Sequence, residues 1–417
     1  MEINRDLYLS KLIQSKENGL IKVVTGLRRS GKSYLLKTLF KNHLLNEGVA
    51  ADHILVVDLE NTRNKAFLNT DYFLQWLDEH IIDNKIHYLI VDEIQLIPNF
   101  TELLGGLVTT EHLDVYVTGS NSHLLSSDIA TEFRGRGDEI HLYPLSFAEF
   151  CSAFTGDEVI ALQEYMTYGG LPYVLTLPND EKKSNYLEQI YRTVYLKDIF
   201  ERYTIENPKE FQELLRILSS GIGAPQNANK IANTFKTIKK MQSITSKTID
   251  NYIGHIENAF LLEEAQRYDI KGRQYIGSLS KYYFQDLGLR NAILHFRQIE
   301  EPHLMENLLY NQLRMLGYRI DVGNVPIRTT INGEQKRSNL EIDFVVNLGS
   351  QRYYIQSAWR LPDADKREQE IRPLINVADS FRKIVVVGEP MKLRRDEHGI
   401  TYISIYQFLK EPHVVLN

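Results

Sequence analysis

Eight consecutive residues, Gly26-Leu-Arg-Arg-Ser-Gly-Lys-Ser33, constrain this chain more than any other stretch. They satisfy G-x-x-x-x-G-K-[ST], follow the apolar run Ile21 to Val24, and lead into Tyr34 to Phe40, whose apolar spacing suits a helix. Strand, glycine loop and helix in that order are the context a phosphate-binding loop requires. Gly26 and Gly31 let the backbone turn tightly enough for successive N–H groups and the helix N-terminus to point at an anion. The expected nucleotide contacts are therefore Gly26, Arg28, Arg29, Ser30, Gly31, Lys32, Ser33 and Tyr34. Lys32 should reach the β- and γ-phosphates of ATP, and Ser33 should ligate Mg²⁺.

The stretches that follow alternate between β-rich apolar runs and helical spacing. Ile54 to Leu59, His87 to Glu93, Asp114 to Ser120 and Glu139 to Tyr143 read as strands, and Phe73 to Ile82 reads as a helix. Near-continuous apolar strands between helices predict a parallel sheet covered on both faces. Ligands on such sheets bind at the strand C-termini, where Gly26, Asp92 and Ser120 all fall. Asp92, ending a buried strand, suits Mg²⁺, and the adjacent Glu93 suits a base that orients and deprotonates water for attack on the γ-phosphate. Thr118-Gly-Ser-Asn-Ser122 offers hydroxyl and amide groups at a neighbouring strand end, with Ser120 ahead of Asn121 as a γ-phosphate sensor. Arg136, ahead of Arg134, is the candidate arginine finger that would act on a neighbouring subunit's nucleotide, which implies a homo-oligomer.

At 417 residues the chain exceeds what one core usually serves. Its net charge of −6 argues against a wholly basic nucleic-acid coat but permits a local basic face. The single cysteine, Cys151, excludes an internal disulfide and a cysteine-based metal site, which fits a reducing cytoplasm. Neither a signal-peptide core at Met1-Glu-Ile-Asn-Arg-Asp nor an apolar run of about 18 residues is present in the sequence, so neither export nor a membrane span is expected.

The loop, Val-Asp-Glu-Ile-Gln95, Thr-Gly-Ser-Asn-Ser122, Gly-Arg136 and Tyr-Pro-Leu-Ser-Phe-Ala-Glu149 together resemble the prokaryotic AAA-type ATPases that carry a C-terminal domain of unassigned function. The resemblance covers nearly the whole chain and implies a P-loop NTPase fold and ATP use more firmly than it implies a task. Tyr168-Gly-Gly-Leu-Pro172 is similar to the Gly-x-Pro element with which signal-transducing, STAND-like ATPases contact nucleotide from a lid, which marks Gly170 and Pro172. By residue chemistry alone that segment is a helix stop and turn.

Beyond it, Tyr186 to Tyr203, Pro208 to Ser219, Ala228 to Phe235 and Thr245 to Phe260 have helical spacing. Leu261 to Tyr268 and Gly277 to Phe284 flank Lys271-Gly-Arg273 as two strands and a wing, completing a winged-helix pattern. Leu214 to Ile249 contains Arg216, Lys230, Lys236, Lys239, Lys240 and Lys247 but no Asp or Glu. In a net-acidic chain this asymmetry points to an anionic partner, DNA contacted through its phosphate backbone, with Lys271 and Arg273 of the wing added.

The last third reads as helix Leu304 to Leu313, hairpin strands Leu340 to Val346 and Tyr353 to Ala358, helix Asp365 to Ala378, and strand Lys383 to Val387. Glu306 on the helix and Asp343 on the strand resemble the restriction-endonuclease-like PD-(D/E)XK core. In that fold an Asp and a Glu hold Mg²⁺ and a Lys two residues further on assists the water. Here Gln356 and Ala358 occupy the Glu and Lys positions, so a degenerate, non-cutting domain is expected.

The expected architecture is α/β in three parts: an AAA-type ATPase core over 1–150, a helical lid and winged-helix region over 151–285, and a degenerate nuclease-like α/β domain over 286–417. Three functions compete: an oligomeric ATP-driven machine that remodels or translocates on DNA in recombination, repair or defence; a nucleotide-gated switch acting on a protein partner; and an ATP-licensed nuclease.

Overall fold

Five short strands, β1 (Ile21–Thr25), β2 (Ile54–Asp58), β3 (His87–Asp92), β4 (Leu113–Thr118) and β5 (Gly137–His141), form one parallel sheet in the order β2-β3-β4-β1-β5. The computed structural model describes residues 2–120, 137–237, 244–275, 277, 279–331 and 334–416. The chain divides into two compact units, Met1–Pro144 with Asn258–Phe260, and Leu145–Glu257 with Leu261–Asn417. Among the described residues no helix is long and apolar enough to cross a membrane.

In the first unit the strands are apolar on both faces because both faces are covered. Val23, Leu55, Val57, Leu89, Val91, Val115 and Val117 pack with Phe73, Leu77, Leu103, Leu104 and Leu107 on one side. Val24, Ile54, Tyr88, Ile90, Tyr116 and Ile140 pack with Tyr8, Leu35, Leu36, Leu39 and Phe40 on the other. The period-two alternation along each strand sends neighbouring side chains to opposite cores. Parallel registry aligns the strand ends: Ile54 pairs with Tyr88 at one end of β2 and β3, and Asp58 pairs with Asp92 at the other.

The second unit begins with helices, among them Glu158–Tyr168, Asp180–Ile190, Pro208–Ser220, Ala228–Thr237 and Ser246–Asn258. Strands β6 (Leu262–Ala265), β7 (Arg267–Asp269), β8 (Gln274–Tyr275) and β9 (Lys281–Phe284) follow, then β10 (Arg319–Ile331), β11 (Glu334–Leu348), β12 (Gln351–Ala358), β13 (Arg382–Val387), β14 (Arg394–Arg395) and β15 (Thr401–Ser404). Eight of them form a mixed sheet in the order β14-β15-β13-β12-β11-β10-β7-β8. The stretch from Leu261 to Phe284 is not one hairpin, as its spacing suggested. β6 pairs antiparallel with β9, whereas β7 runs parallel to β10 and carries β8 with it. The edge of β10 supplies ladder groups that β7 satisfies, so the Lys271-Gly-Arg273 turn belongs to the large sheet.

Candidate functional site

The phosphate loop takes the strained backbone its sequence allows. Gly26 has φ 134°, and a Cβ there would lie 2.1 Å from the Leu142 carbonyl oxygen, so only glycine fits. Arg29 and Gly31 also have positive φ, and Gly31 opens the helical run that starts at Lys32. Lys32 is 4% exposed, with Nζ 3.1 and 3.0 Å from the carbonyl oxygens of Gly26 and Leu27. Burial lowers its ammonium below the ordinary lysine range, with Glu93 and then Asp92 opposing. Ser30 is buried with Oγ turned back to the Leu27 carbonyl, while Arg29 is exposed and Tyr34 half-buried.

Asp92 gathers the elements around it. Its Oδ1 accepts from Ser33 Oγ at 3.0 Å and from Thr118 Oγ1 at 2.6 Å, and its Oδ2 accepts from Lys37 Nζ at 2.8 Å. Lys37 also donates to Asp58 Oδ2 at 2.7 Å. Burial alone would lower the Lys37 ammonium, but the bonds to Asp58 and Asp92 outweigh it and raise the pKa. Nothing in the sequence marked Lys37, although it stands four residues after Ser33 and so on the same helix face.

Glu93, 7% exposed, has φ 58°, a conformation that costs a non-glycine residue about 1–3 kcal/mol and clusters at functional sites. Its N–H donates to Thr118 Oγ1 at 2.8 Å, which fixes the turn. Its Oε2 accepts from Ser120 Oγ at 2.9 Å and from Gln95 Nε2, and Arg28 Nε donates to Ser120 Oγ at 3.1 Å. Lys32, Ser33, Asp92, Glu93, Ser120 and Arg28, recognised one by one in the sequence, are thus joined through one hydrogen-bonded cluster and the loop around it. Arg5, which carries no sequence signal, is 2% exposed and donates to the Ser30 carbonyl at 3.1 Å and the Tyr143 carbonyl at 2.7 Å, bracing the loop from behind. Asn121 and Arg136 lie outside the described residues.

Residues 18–151 match the family described as an AAA domain, and residues 160–300 match one described as a domain of unknown function (DUF8612). Over 414 residues the chain is 32% identical to an uncharacterized protein of Haemophilus influenzae, covering 98% of each. The chain belongs to one family with that protein, and its residues 18–151 are an AAA-type domain. The chain is also 29% identical over 382 residues to an uncharacterized protein of Methanocaldococcus jannaschii, covering 89% of this chain and 80% of that one. A Walker-type ATPase of Pyrococcus abyssi overlays with a TM-score of 0.49 at 16% identity, over 70% of this chain and 96% of that one.

The remaining candidates lie in the second unit. Gly170 N–H donates to Asp286 Oδ2 at 2.8 Å, and Pro172 opens the short helical turn Pro172–Thr176. A Cβ on Gly169 would meet the Asp286 carboxylate at 2.4 Å, and one on Gly170 the Leu145 carbonyl oxygen at 2.5 Å, so packing inside this unit already requires both glycines. Lys230 and Lys236 are exposed on helix Ala228–Thr237, and Lys247 is exposed on helix Ser246–Asn258. Lys239 and Lys240 lie outside the described residues. Lys271 donates to the Pro326 carbonyl at 2.9 Å, and Arg273 is exposed beside it.

Glu306 and Asp343, picked out by the nuclease-like pattern, do meet, but around an ammonium. Lys281 Nζ, on β9 and 3% exposed, lies 2.9 Å from Glu306 Oε1, 2.8 Å from Glu341 Oε1 and 3.7 Å from Asp343 Oδ1. These three carboxylates hold the Lys281 pKa above its ordinary range despite burial. Gln356 Oε1 accepts from the Asp343 N–H at 3.4 Å, and Ala358 is buried in the sheet's core.

Proposed function

We propose that this protein hydrolyses ATP in a Mg²⁺-dependent reaction. The observation that carries the reading is the single network linking Ser33, Asp92, Thr118, Glu93 and Ser120 beside the buried Lys32. A hydroxyl and a carboxylate are the hard oxygen donors Mg²⁺ takes, so Ser33 and Asp92 would hold it; when bound, it neutralises charge on the β- and γ-phosphate oxygens. Lys32 exchanges its two loop carbonyls for phosphate oxygens, a trade that favours the dianionic ligand. Glu93 orients the attacking water and takes its proton, with Ser120 and Gln95 fixing the direction of the carboxylate. Asn121 assists Ser120, and Arg136 completes the site of an adjacent subunit.

DNA is the partner this reading assigns to the second unit, bound through phosphates and remodelled or tracked by an oligomer in the cytoplasm. Its support is the acid-free stretch from Leu214 to Ile249, whose Lys230, Lys236 and Lys247 are exposed. We assign the domain from about residue 286 a nuclease-like ancestry without cutting. Lys281 supplies among Glu306, Glu341 and Asp343 the positive charge that a metal would otherwise bring. The deciding experiment measures ATP turnover with and without Mg²⁺, and with and without single-stranded and duplex DNA. Stimulation by DNA that falls with salt supports the assignment. Mg²⁺-dependent turnover indifferent to DNA leaves the ATPase and points to a protein partner; absent turnover refutes the reading.

A further inference from the structure

At the end of β2 and β3 remote from Asp58 and Asp92, a second constellation has a different chemistry. His53 precedes β2 and His87 opens β3; the pairing of Ile54 with Tyr88 sets them side by side. Their rings stack with centroids 4.4 Å apart. Asp83, in the loop before β3, brings a carboxylate to the same point, its Oδ1 3.1 Å from His53 Nε2. One ligand atom from each of His53, Asp83 and His87 lies within 4.8 Å of the others. At about 3.3 Å per strand residue, this cluster is roughly 16 Å from the Asp58–Asp92 end.

We propose that His53 Nε2, His87 Nε2 and Asp83 Oδ1 bind a divalent transition-metal ion of the Zn²⁺ class, a site separate from the nucleotide. The imidazoles are already held as ligands are held. His87 Nδ1 lies 2.9 Å from the Lys85 carbonyl, to which only an N–H can donate, and its Nε2 accepts the Ile82 N–H at a long 3.3 Å. That pattern fixes the neutral tautomer with its lone pair on Nε2. His53 Nδ1 lies 2.8 Å from the Asp52 carboxylate, leaving Nε2 directed at Asp83. Histidines that ligate metals have their other nitrogen oriented in this way by a carboxylate or a backbone carbonyl.

Both imidazoles are buried, at 5% and 0% exposed, while the Asp83 side chain is 39% exposed and gives the ion a path in. Metal–nitrogen distances of about 2.0–2.1 Å in a tetrahedral site put ligand atoms about 3.3 Å apart, which His53 Nε2 and Asp83 Oδ1 at 3.1 Å already meet, and separations of up to 4.8 Å close by at most about 1.5 Å. Binding releases a proton from His53 Nε2 when that nitrogen is protonated, and the Ile82 N–H is exchanged for solvent. Three protein ligands leave a fourth position for water. The ion would tie the loop before β3 to the neighbouring strand at the sheet's far end.

The test uses the full chain, stripped with a chelator and dialysed against limiting Zn²⁺ without nucleotide, with bound metal counted per chain. The wild-type chain should retain about one equivalent more than either Asp83→Asn or His87→Gln, and Co²⁺ in place of Zn²⁺ should give a visible absorption band that both substitutions abolish. Zn²⁺ should raise the unfolding temperature of the wild-type chain and leave that of Asp83→Asn unchanged. Asp83 is exposed enough for its variant to fold, so it decides the matter should His87→Gln not fold. Equal metal content in wild type and Asp83→Asn, with no difference in the Co²⁺ spectrum, overturns the proposal and leaves Asp52–His53–Asp83 as an ion pair.

Discussion

Replacing Lys37 by Met removes a cation shared by Asp58 and Asp92. Their Oδ2 atoms lie 2.7 and 2.8 Å from its nitrogen, so they are no more than about 5.5 Å apart. Two unit charges at that spacing repel by about 1 kcal/mol in water and about 3 kcal/mol at an effective dielectric near 20. Asp58 is about a third exposed and Asp92 buried, so the cost lies between those limits. A dication placed at Asp92 relieves this repulsion and no longer competes with the Lys37 ammonium, so Mg²⁺ binding should be favoured by a similar amount. The assay is Mg²⁺ titration of ATP turnover. Lys37→Met should show an apparent Mg²⁺ requirement lowered by on the order of tenfold, and Lys37→Arg should restore the wild-type curve. Superimposable Mg²⁺ curves for wild type and Lys37→Met would refute the reasoning.

Arg136→Ala should cut hydrolysis by on the order of 10³-fold or less with nucleotide affinity nearly intact, and mixing it with a Lys32→Ala chain should recover part of the rate. Failure of every mixture leaves Arg136 outside the reaction. Changing Lys230, Lys236 and Lys247 together to Gln should weaken binding to all DNA sequences alike and lower the salt slope by nearly one for each phosphate no longer neutralised; an unchanged slope moves the partner to the proteins. Burial pushes the Asp286 carboxyl up to about 6, against the backbone N–H bonds it accepts. Because the folded value lies above the unfolded one, the stabilisation present below about pH 4 is lost as pH rises through 6, about 3 kcal/mol in all. Urea unfolding across that window should show this decline in wild type and not in Asp286→Asn, and parallel curves would remove Asp286 as its source.

The cluster around Lys32, Asp92 and Glu93 was readable as neighbouring residues because its signals are local: a glycine loop between strand and helix, and carboxylates or hydroxyls closing apolar strands. Each part carries its chemistry within a few residues. Lys37 escaped because a lysine on an amphipathic helix ordinarily marks the solvated face, and only the sheet's registry brings Asp58 and Asp92 beneath it. His53 and His87 are likewise joined by strand pairing. The nuclease-like pattern marked Glu306 and Asp343 correctly as neighbours, yet Lys281 sits on a strand that its own surroundings assign to a small hairpin. The split of Leu261–Phe284 between two sheets had no local signal at all, since β7 finds β10 only through the tertiary fold.

The most direct test of Mg²⁺-dependent hydrolysis by this network is a paired measurement of ATP affinity and single-turnover rate in Glu93→Gln, with Lys32→Ala as the binding-deficient reference. Glu93→Gln should bind ATP as wild type does and hydrolyse it more slowly by about 10²–10⁴-fold, the usual contribution of a positioned base. Lys32→Ala should lose tight binding itself. Hydrolysis by Glu93→Gln at the wild-type rate would contradict the assignment of Glu93, and tight ATP binding by Lys32→Ala would contradict the site.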